Sequence, residues 1–252
     1  FNPAQRMPLL EIVRRDETPP EVLAGVLAVA KRLRKTPVVA HSREGFIVVR
    51  IFVPYVQEAF RLLEEGAEPA AIDQAMVDFG FPMGPLVLID MTGLDILAET
   101  HRVLQRAFPW HGPASPVAEE LVRQGHLGQK TGSGVYRYVE GDRRPQANPA
   151  LEEIVAAARQ KHDRSARSVP PEEIARRLQM RMFAEGLCVM AEGVARSAED
   201  VDVATVLGIG FPDFRGGVMT HIEQLGRHNV QAQLRELGRT HGERFAPEVA
   251  FQ

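Results

Sequence analysis

The chain repeats itself, and that repeat restricts its folds more than any other feature. Arg50, Glu58 and Glu65-Gly66 recur with identical spacing as Arg177, Glu185 and Glu192-Gly193. Asp73 and Gly80-Phe81-Pro82 return as Asp202 and Gly210-Phe211-Pro212 with one residue inserted, and Asp90-Met91-Thr92-Gly93 matches Glu223-Gln224-Leu225-Gly226. A long helix, a Gly-Phe-Pro turn and a following helix agree in order, which points to duplication of one helical module.

Before the first copy the pattern is different. Leu9 to Val13 is a short apolar run stopped by Arg14-Arg15-Asp16, the signature of a strand. Thr18 is expected to cap a helix, with Pro19 at its first position and Glu21 closing a capping box. Val22, Val26, Leu27, Ala30 and Leu33 carry the helical period, and Thr36 to Ala40 reads as a second strand. These elements look like the end of an α/β domain, with too few strands to fold as a sheet alone. From Gly45 onward the strand signal vanishes. Phe46 to Glu65 reads as one long helix bent by Pro54, followed by helices at Pro69–Asp78, Leu86–Met91, Leu94–Phe108 and Ala118–Gln124. Gly128 to Tyr138 is a glycine-rich loop in which Tyr136 and Tyr138 alternate, so a short extended segment is expected there. Arg143 to Pro149 reads as a linker, Leu151 to Gln160 as a linker helix, and the run to Pro170-Pro171 as another break. The expected fold is mainly α.

Composition narrows the function classes. The 252 residues carry 30 Lys+Arg against 33 Asp+Glu, a formal net charge of -3, so no global basic field exists to hold nucleic acid. No apolar run approaches the length of a membrane span. The single cysteine, Cys188, cannot form an internal disulfide and is expected to pack as a small apolar residue, which suits a reducing, cytoplasmic setting. The chain begins at Phe1, a few residues before a strand, and is expected to be cut from something longer.

Few motifs carry chemistry on their own. Gly132-Ser133-Gly134 and Gly208-Ile209-Gly210 lack the third glycine of a dinucleotide loop, and neither sits between a strand and a helix. The eight His show no zinc-ligand spacing. Glu11 stands inside an apolar strand, where a carboxylate either faces water at an edge or needs a partner. Lys130, in Gly128-Gln129-Lys130-Thr131-Gly132, is either a solvated lysine or a cation where a ligand phosphate or ribose could approach.

Taken together, Phe1-Asn2-Pro3, Met7-Pro8-Leu9-Leu10-Glu11, Lys35-Thr36-Pro37-Val38-Val39 and Gly45-Phe46-Ile47-Val48-x-Arg50 closely resemble the 3-hydroxyacyl-CoA dehydrogenases. Pro82-Met83-Gly84-Pro85-Leu86, Asp90-x-x-Gly93-Leu94-Asp95 and Gly128-Gln129-Lys130-Thr131-Gly132-x-Gly134-Val135-Tyr136 continue the match. The second copy, with Gly208-Ile209-Gly210-Phe211-Pro212, resembles the multifunctional fatty-acid oxidation enzymes, which also carry an enoyl-CoA hydratase domain.

The resemblance implies a remnant of an NAD-binding Rossmann domain at 1–44, a first helical C-terminal domain at 45–140, a linker at 141–170 and a second helical domain at 171–252. Both helical domains would be of the 6-phosphogluconate dehydrogenase C-terminal-like type. It implies oxidation of (S)-3-hydroxyacyl-CoA by NAD in β-oxidation, with a thiolase subunit as a possible partner. Glu11 matches the glutamate that pairs with the family's catalytic His, which precedes the Phe-Phe-Asn-Pro run and is absent from this sequence. Asn2 matches an Asn near the nicotinamide, and Lys130 a lysine that reaches the cofactor. The family's substrate-contacting Asn is replaced by Val49, and its Asp-x-Pro-Gly pattern by Ser42-Arg43-Glu44-Gly45. The chain alone, lacking the His and the glycine-rich loop, is expected to be inactive. The rival reading is a helical assembly module that docks domains or subunits.

Overall fold

The computed structural model describes residues 3–163 and 165–251. It is mostly helical, 64% helix with eleven α-helices among the described residues. Two compact units divide it: residues 1–52 with 180–252, and residues 53–179.

The first unit begins with β1 (Leu9–Arg14), α1 (Pro20–Arg32) and β2 (Thr36–His41). The strands pair in parallel, Glu11 beside Val38 and Ile12 beside Val39. Alternation sends Leu10 and Ile12 to one face, where they pack with Leu23, Leu27 and Ala30 of α1. Leu9 and Glu11 point the other way, toward the first turn of α2 (Val48–Glu65) and toward α9 (Ala198–Ile209). The free edge of β2 meets the second copy: Ala40 bridges Ala195, and the His41 amide donates to the Val194 carbonyl at 2.8 Å. The rest of this unit is the C-terminal part of α8 (Pro171–Ala191), α10 (Val218–Leu225) and α11 (Arg227–His241).

The capping box does not form. Helix α1 starts at Pro20 with Pro19 as its cap, and the Thr18 hydroxyl accepts from the Arg15 amide at 2.9 Å instead. Thr18 thus stabilises the turn out of β1, a competing use of the same side chain.

The second unit holds the rest of α2, then α3 (Pro69–Phe79), α4 (Pro85–Thr92), α5 (Leu94–Ala107), α6 (Pro116–Arg123) and α7 (Pro149–Lys161). Helix α2 continues through Pro54 without interruption. The extended segment expected around Tyr138 is β3 (Arg137–Val139), which pairs with β4 (Asp142–Gln146) in an antiparallel hairpin, so the expected linker from Arg143 is partly strand. These strands are short and polar, and polar two-stranded ribbons leave little hydrophobic alternation to read.

The repeat has a structural consequence in each unit. Asp73 of α3 accepts from the Leu86 amide at 2.8 Å, and Asp202 of α9 accepts from the Met219 amide at 2.6 Å. Each carboxylate thereby caps the helix that follows its Gly-Phe-Pro turn. A Cβ on Gly84 would lie 2.2 Å from the Cα of Asp73, and one on Gly217 would lie 2.5 Å from the Cα of Asp202. Only glycine permits that approach in either copy.

Candidate functional site

Glu11 has a partner within the chain. Its Oε1 accepts from the Ile47 amide at 2.9 Å and the Val48 amide at 3.3 Å, so the carboxylate sits at the start of α2. The unpaired amides and dipole of a helix N-terminus favour a negative charge there. Burial acts in the opposite sense and prevails, raising the Glu11 pKa from its ordinary value despite those two amides. Oε2 makes no hydrogen bond among the described residues. The strand pattern leaves water or a histidine as the alternatives for Glu11; the helix start that it meets is marked in the sequence only by Gly45 before a long apolar helix.

The turn that aims those amides is unusual. Phe46 adopts φ 49°, a left-handed conformation uncommon for a bulky side chain. It is partly exposed, next to Ile47 and Val48, which are fully buried. Val49, second in α2, is half-buried. Asn2 lies outside the described residues.

Lys130 belongs to the second unit, where its Nζ meets Asp95 Oδ1 at 2.5 Å. Lysine holds the Asp95 carboxyl below its usual range. Both groups are well exposed, so the pair is easily exchanged for water or another anion. Around Lys130, Met91, Gln129, Tyr138 and Asp142 line an open depression of about 580 Å³.

Beneath that loop lies a buried cluster whose polarity the sequence reading did not register. Asp90 accepts from the Val135 and Tyr136 amides, each at 2.8 Å, and from the Tyr138 hydroxyl at 3.0 Å. Tyr136 donates its hydroxyl to Asp73 at 2.5 Å. Burial raises both Asp73 and Asp90 to about 6. The cluster fastens residues 135–138 to α3 and α4, and so anchors the loop that carries Lys130. The repeated Asp73 and Asp90 were the signal available.

No cluster of three or more metal-ligating side chains is present among the described residues. No helix among them is long and apolar enough to cross a membrane.

Comparison with known proteins gives these features a family. The 3-hydroxyacyl-CoA dehydrogenase NAD-binding domain matches residues 1–43, and the C-terminal domain of the same enzymes matches residues 45–138. A glyoxysomal fatty acid β-oxidation multifunctional protein of Cucumis sativus is 37% identical over 251 residues, covering 98% of this chain. The chain spans 34% of that relative's length, about a third. The crystal structure of 3-hydroxybutyryl-CoA dehydrogenase from Escherichia coli K12 superimposes over 100% of this chain and 68% of its own, with TM-score 0.81 and 28% identity. (S)-3-hydroxybutyryl-CoA dehydrogenase from Ralstonia eutropha is 40% identical, covering 55% of this chain and 50% of its own, with TM-score 0.53. Both matched domains, and a relative 37% identical over 98% of the chain, lead to one conclusion: the chain belongs to the 3-hydroxyacyl-CoA dehydrogenase family.

Proposed function

We propose that this chain is part of an NAD-dependent enzyme that oxidises (S)-3-hydroxyacyl-CoA to 3-oxoacyl-CoA in fatty-acid β-oxidation. The observation that carries the reading is the seat of Glu11. A half-buried carboxylate, fixed through one oxygen by two amides and with the other oxygen uncommitted, lies in the segment matched to the NAD-binding domain.

Oxidising a secondary alcohol requires a proton to leave oxygen as hydride leaves carbon. An imidazole suits the proton step because its pKa lies near neutrality. In the longer protein, Glu11 Oε2 would accept the far ring N–H of a histidine, fix its tautomer and stabilise the imidazolium. Holding Oε1 on the α2 amides leaves the carboxylate little freedom to rotate away. Val49 is the residue assigned to face the substrate; an isopropyl group cannot hydrogen-bond an oxyanion, so another donor would serve there. Asn2 and Lys130 are assigned to the cofactor. Lys130 would exchange Asp95 for it, at a cost of about 0–1 kcal/mol for a surface pair.

NAD itself supplies the hydride acceptor when bound. The turn from β1 to α1 does not fit its pyrophosphate: Arg15 to Pro19 contains Asp16 and Glu17 and no glycine. That part of the cofactor would be held elsewhere in the longer protein.

The same reading divides the chain by descent. Residues 1–44 are the end of a Rossmann domain, 45–140 and 171–252 are homologous helical domains, and 141–170 join them. An enoyl-CoA hydratase domain in the same polypeptide, a thiolase partner and a cytoplasmic location complete the proposal; the Cucumis sativus relative is described as multifunctional.

Glu11→Gln in the longer protein tests it. The expected result is a fall in kcat of about 10²–10⁴-fold with the melting temperature nearly retained. Wild-type turnover by that variant would remove Glu11 from the mechanism.

A further inference from the structure

The second helical copy is matched by neither family domain, yet it reaches the seat of Glu11 directly. Gly208, near the end of α9, faces the first turn of α2 and the strand that carries Glu11. A Cβ built on it would lie 2.8 Å from Val48 Cγ2 and 3.0 Å from Leu9 Cδ2. Real Cβ atoms essentially never come as close as the first distance and seldom as close as the second, so the backbone of α9 packs directly against both side chains. Gly208 has an ordinary helical conformation, and glycine is an unfavourable residue inside a helix, by roughly 1 kcal/mol against alanine. Close approach is therefore what this glycine provides.

Both walls belong to the seat. Val48 donates one of the two amides that Glu11 Oε1 accepts. Leu9 lies two residues before Glu11, on the same face of β1, and is 3% exposed. On β2 the same copy adds the Ala40–Ala195 bridge and the His41 to Val194 hydrogen bond. Arg50, two residues beyond Val48, is bound by Glu185 at 2.7 Å and Glu192 at 2.9 Å. Every element of the seat is thus touched by the second copy within one compact unit.

We infer that Gly208 is a positioning residue: by bringing α9 against Leu9 and Val48, the second copy fixes the distance between Glu11 and the amides at the start of α2. It touches no reacting group and acts through the strand and the helix turn. The inference deepens the proposed role of Glu11, but the seat it describes can be measured without catalysis.

The experiment uses the 252-residue chain and reads hydrogen exchange at the Ile47 and Val48 amides together with the carbon-detected NMR titration of the Glu11 carboxyl. Gly208→Ala is expected to speed exchange at both amides by about tenfold. It should also move the Glu11 midpoint upward, because the amides that favour the charged form retreat from a carboxylate still buried. Gly238→Ala is the control. Its Cβ would press on Ala246 Cβ at 2.6 Å, in the same unit but on α11, which supplies none of the contacts named for the seat, and both readings are expected to stay at wild type. Val48→Ala added to Gly208→Ala is expected to restore exchange at Ile47 by giving the new methyl room.

Unchanged exchange and titration in folded Gly208→Ala would overturn the inference, as would equal changes in Gly238→Ala or failure of the rescue. If Gly208→Ala does not fold, Leu9→Ala removes a wall instead of crowding it. Faster exchange at the two amides is then expected, and wild-type exchange overturns the inference. In the longer protein, a disturbed seat with unchanged kcat would uphold the positioning and overturn the catalytic role of Glu11, which keeps the two failures apart.

Discussion

At the scale of single residues, the acidic cluster beneath the Lys130 loop makes the sharpest claim. Asp90 and Asp73 titrate near 6 in the folded chain because burial penalises their charge more than their hydrogen bonds repay it. The ordinary Asp value in an unfolded chain is about 3.9. A folded pKa above the unfolded one means the fold prefers the protonated carboxyl. Its contribution is complete below the unfolded pKa and is lost as pH rises through about 6. Lowering pH from 7 to 5 is therefore expected to raise the melting temperature, before the ion-paired carboxylates such as Glu65 and Glu173 begin to protonate and oppose it. Asp90→Asn should flatten that slope and lower stability throughout by about 1–3 kcal/mol, since its NH₂ cannot accept and its single oxygen can serve only one of the positions from which the Val135 and Tyr136 amides now bond separate carboxylate oxygens. Calorimetric melting of both proteins across pH 5–7 checks this, and an unaltered slope in the variant would refute the assignment. The cluster was only half legible. The repeated Asp73 and Asp90 were visible, but that Tyr136 and Tyr138 turn back onto them depends on contacts 63 and 48 residues apart, which no local pattern encodes. Glu11 was more legible, because a carboxylate between Leu10 and Ile12 demands a partner wherever it lies.

Elements were read best where prolines mark them. Pro85, Pro116 and Pro149 each occupy the first turn of α4, α6 and α7, so those helices begin one or two residues before their apolar period does. Of the hairpin, β3 was announced by the alternation of Tyr136 and Tyr138, whereas β4 escaped because Asp142–Gln146 is polar throughout and shows no apolar alternation. The two long helices were evident, but not the purpose of their shared Arg-Glu-Glu spacing. In the first unit Arg50 of α2 binds Glu185 and Glu192 of α8 at 2.7 and 2.9 Å. In the second unit the roles reverse: Arg177 of α8 donates to Glu58 of α2 from Nε at 2.8 Å and binds Glu65 at 2.6 Å. Each copy's arginine thus serves the other copy's glutamates. Arg50, Glu185, Arg177 and Glu58 are completely buried, where leaving one charge without its partner is far more damaging than removing both. Arg177→Met is expected to cost about 3–5 kcal/mol, and Arg177→Met with Glu58→Leu to recover at least half of that. Urea unfolding of the single and double variants forms a cycle; additive losses would mean the pair has no coupling across the helices.

For the whole molecule, the compact units do not follow the order of the chain. The first 52 residues associate with residues 180–252, skipping the copy that immediately follows them. Sequence patterns describe neighbours along the chain, so the duplication could be read while this association could not. It explains why the segment matched to an NAD-binding domain can be ordered here with only two strands: α1 covers one face, α9 the other, and Ala195 the edge of β2. Order of that kind is not cofactor affinity. A dinucleotide site needs the backbone amides of a glycine-rich turn aimed at the pyrophosphate from a helix N-terminus. Here the turn from β1 into α1 has Asp16 and Glu17 at that place, and Pro19 and Pro20 supply no amide hydrogens. Two carboxylates facing a pyrophosphate repel it, and the missing donors cannot offset the repulsion. The 252-residue chain is accordingly expected to show no NAD binding by calorimetric titration up to millimolar cofactor, while the longer protein binds. Without phosphate contacts only stacking and ribose interactions remain, and these fall short of the roughly 4 kcal/mol that a millimolar dissociation constant represents. Micromolar affinity in the chain alone would mean that β1, α1 and β2 are a cofactor site in miniature and not the end of one.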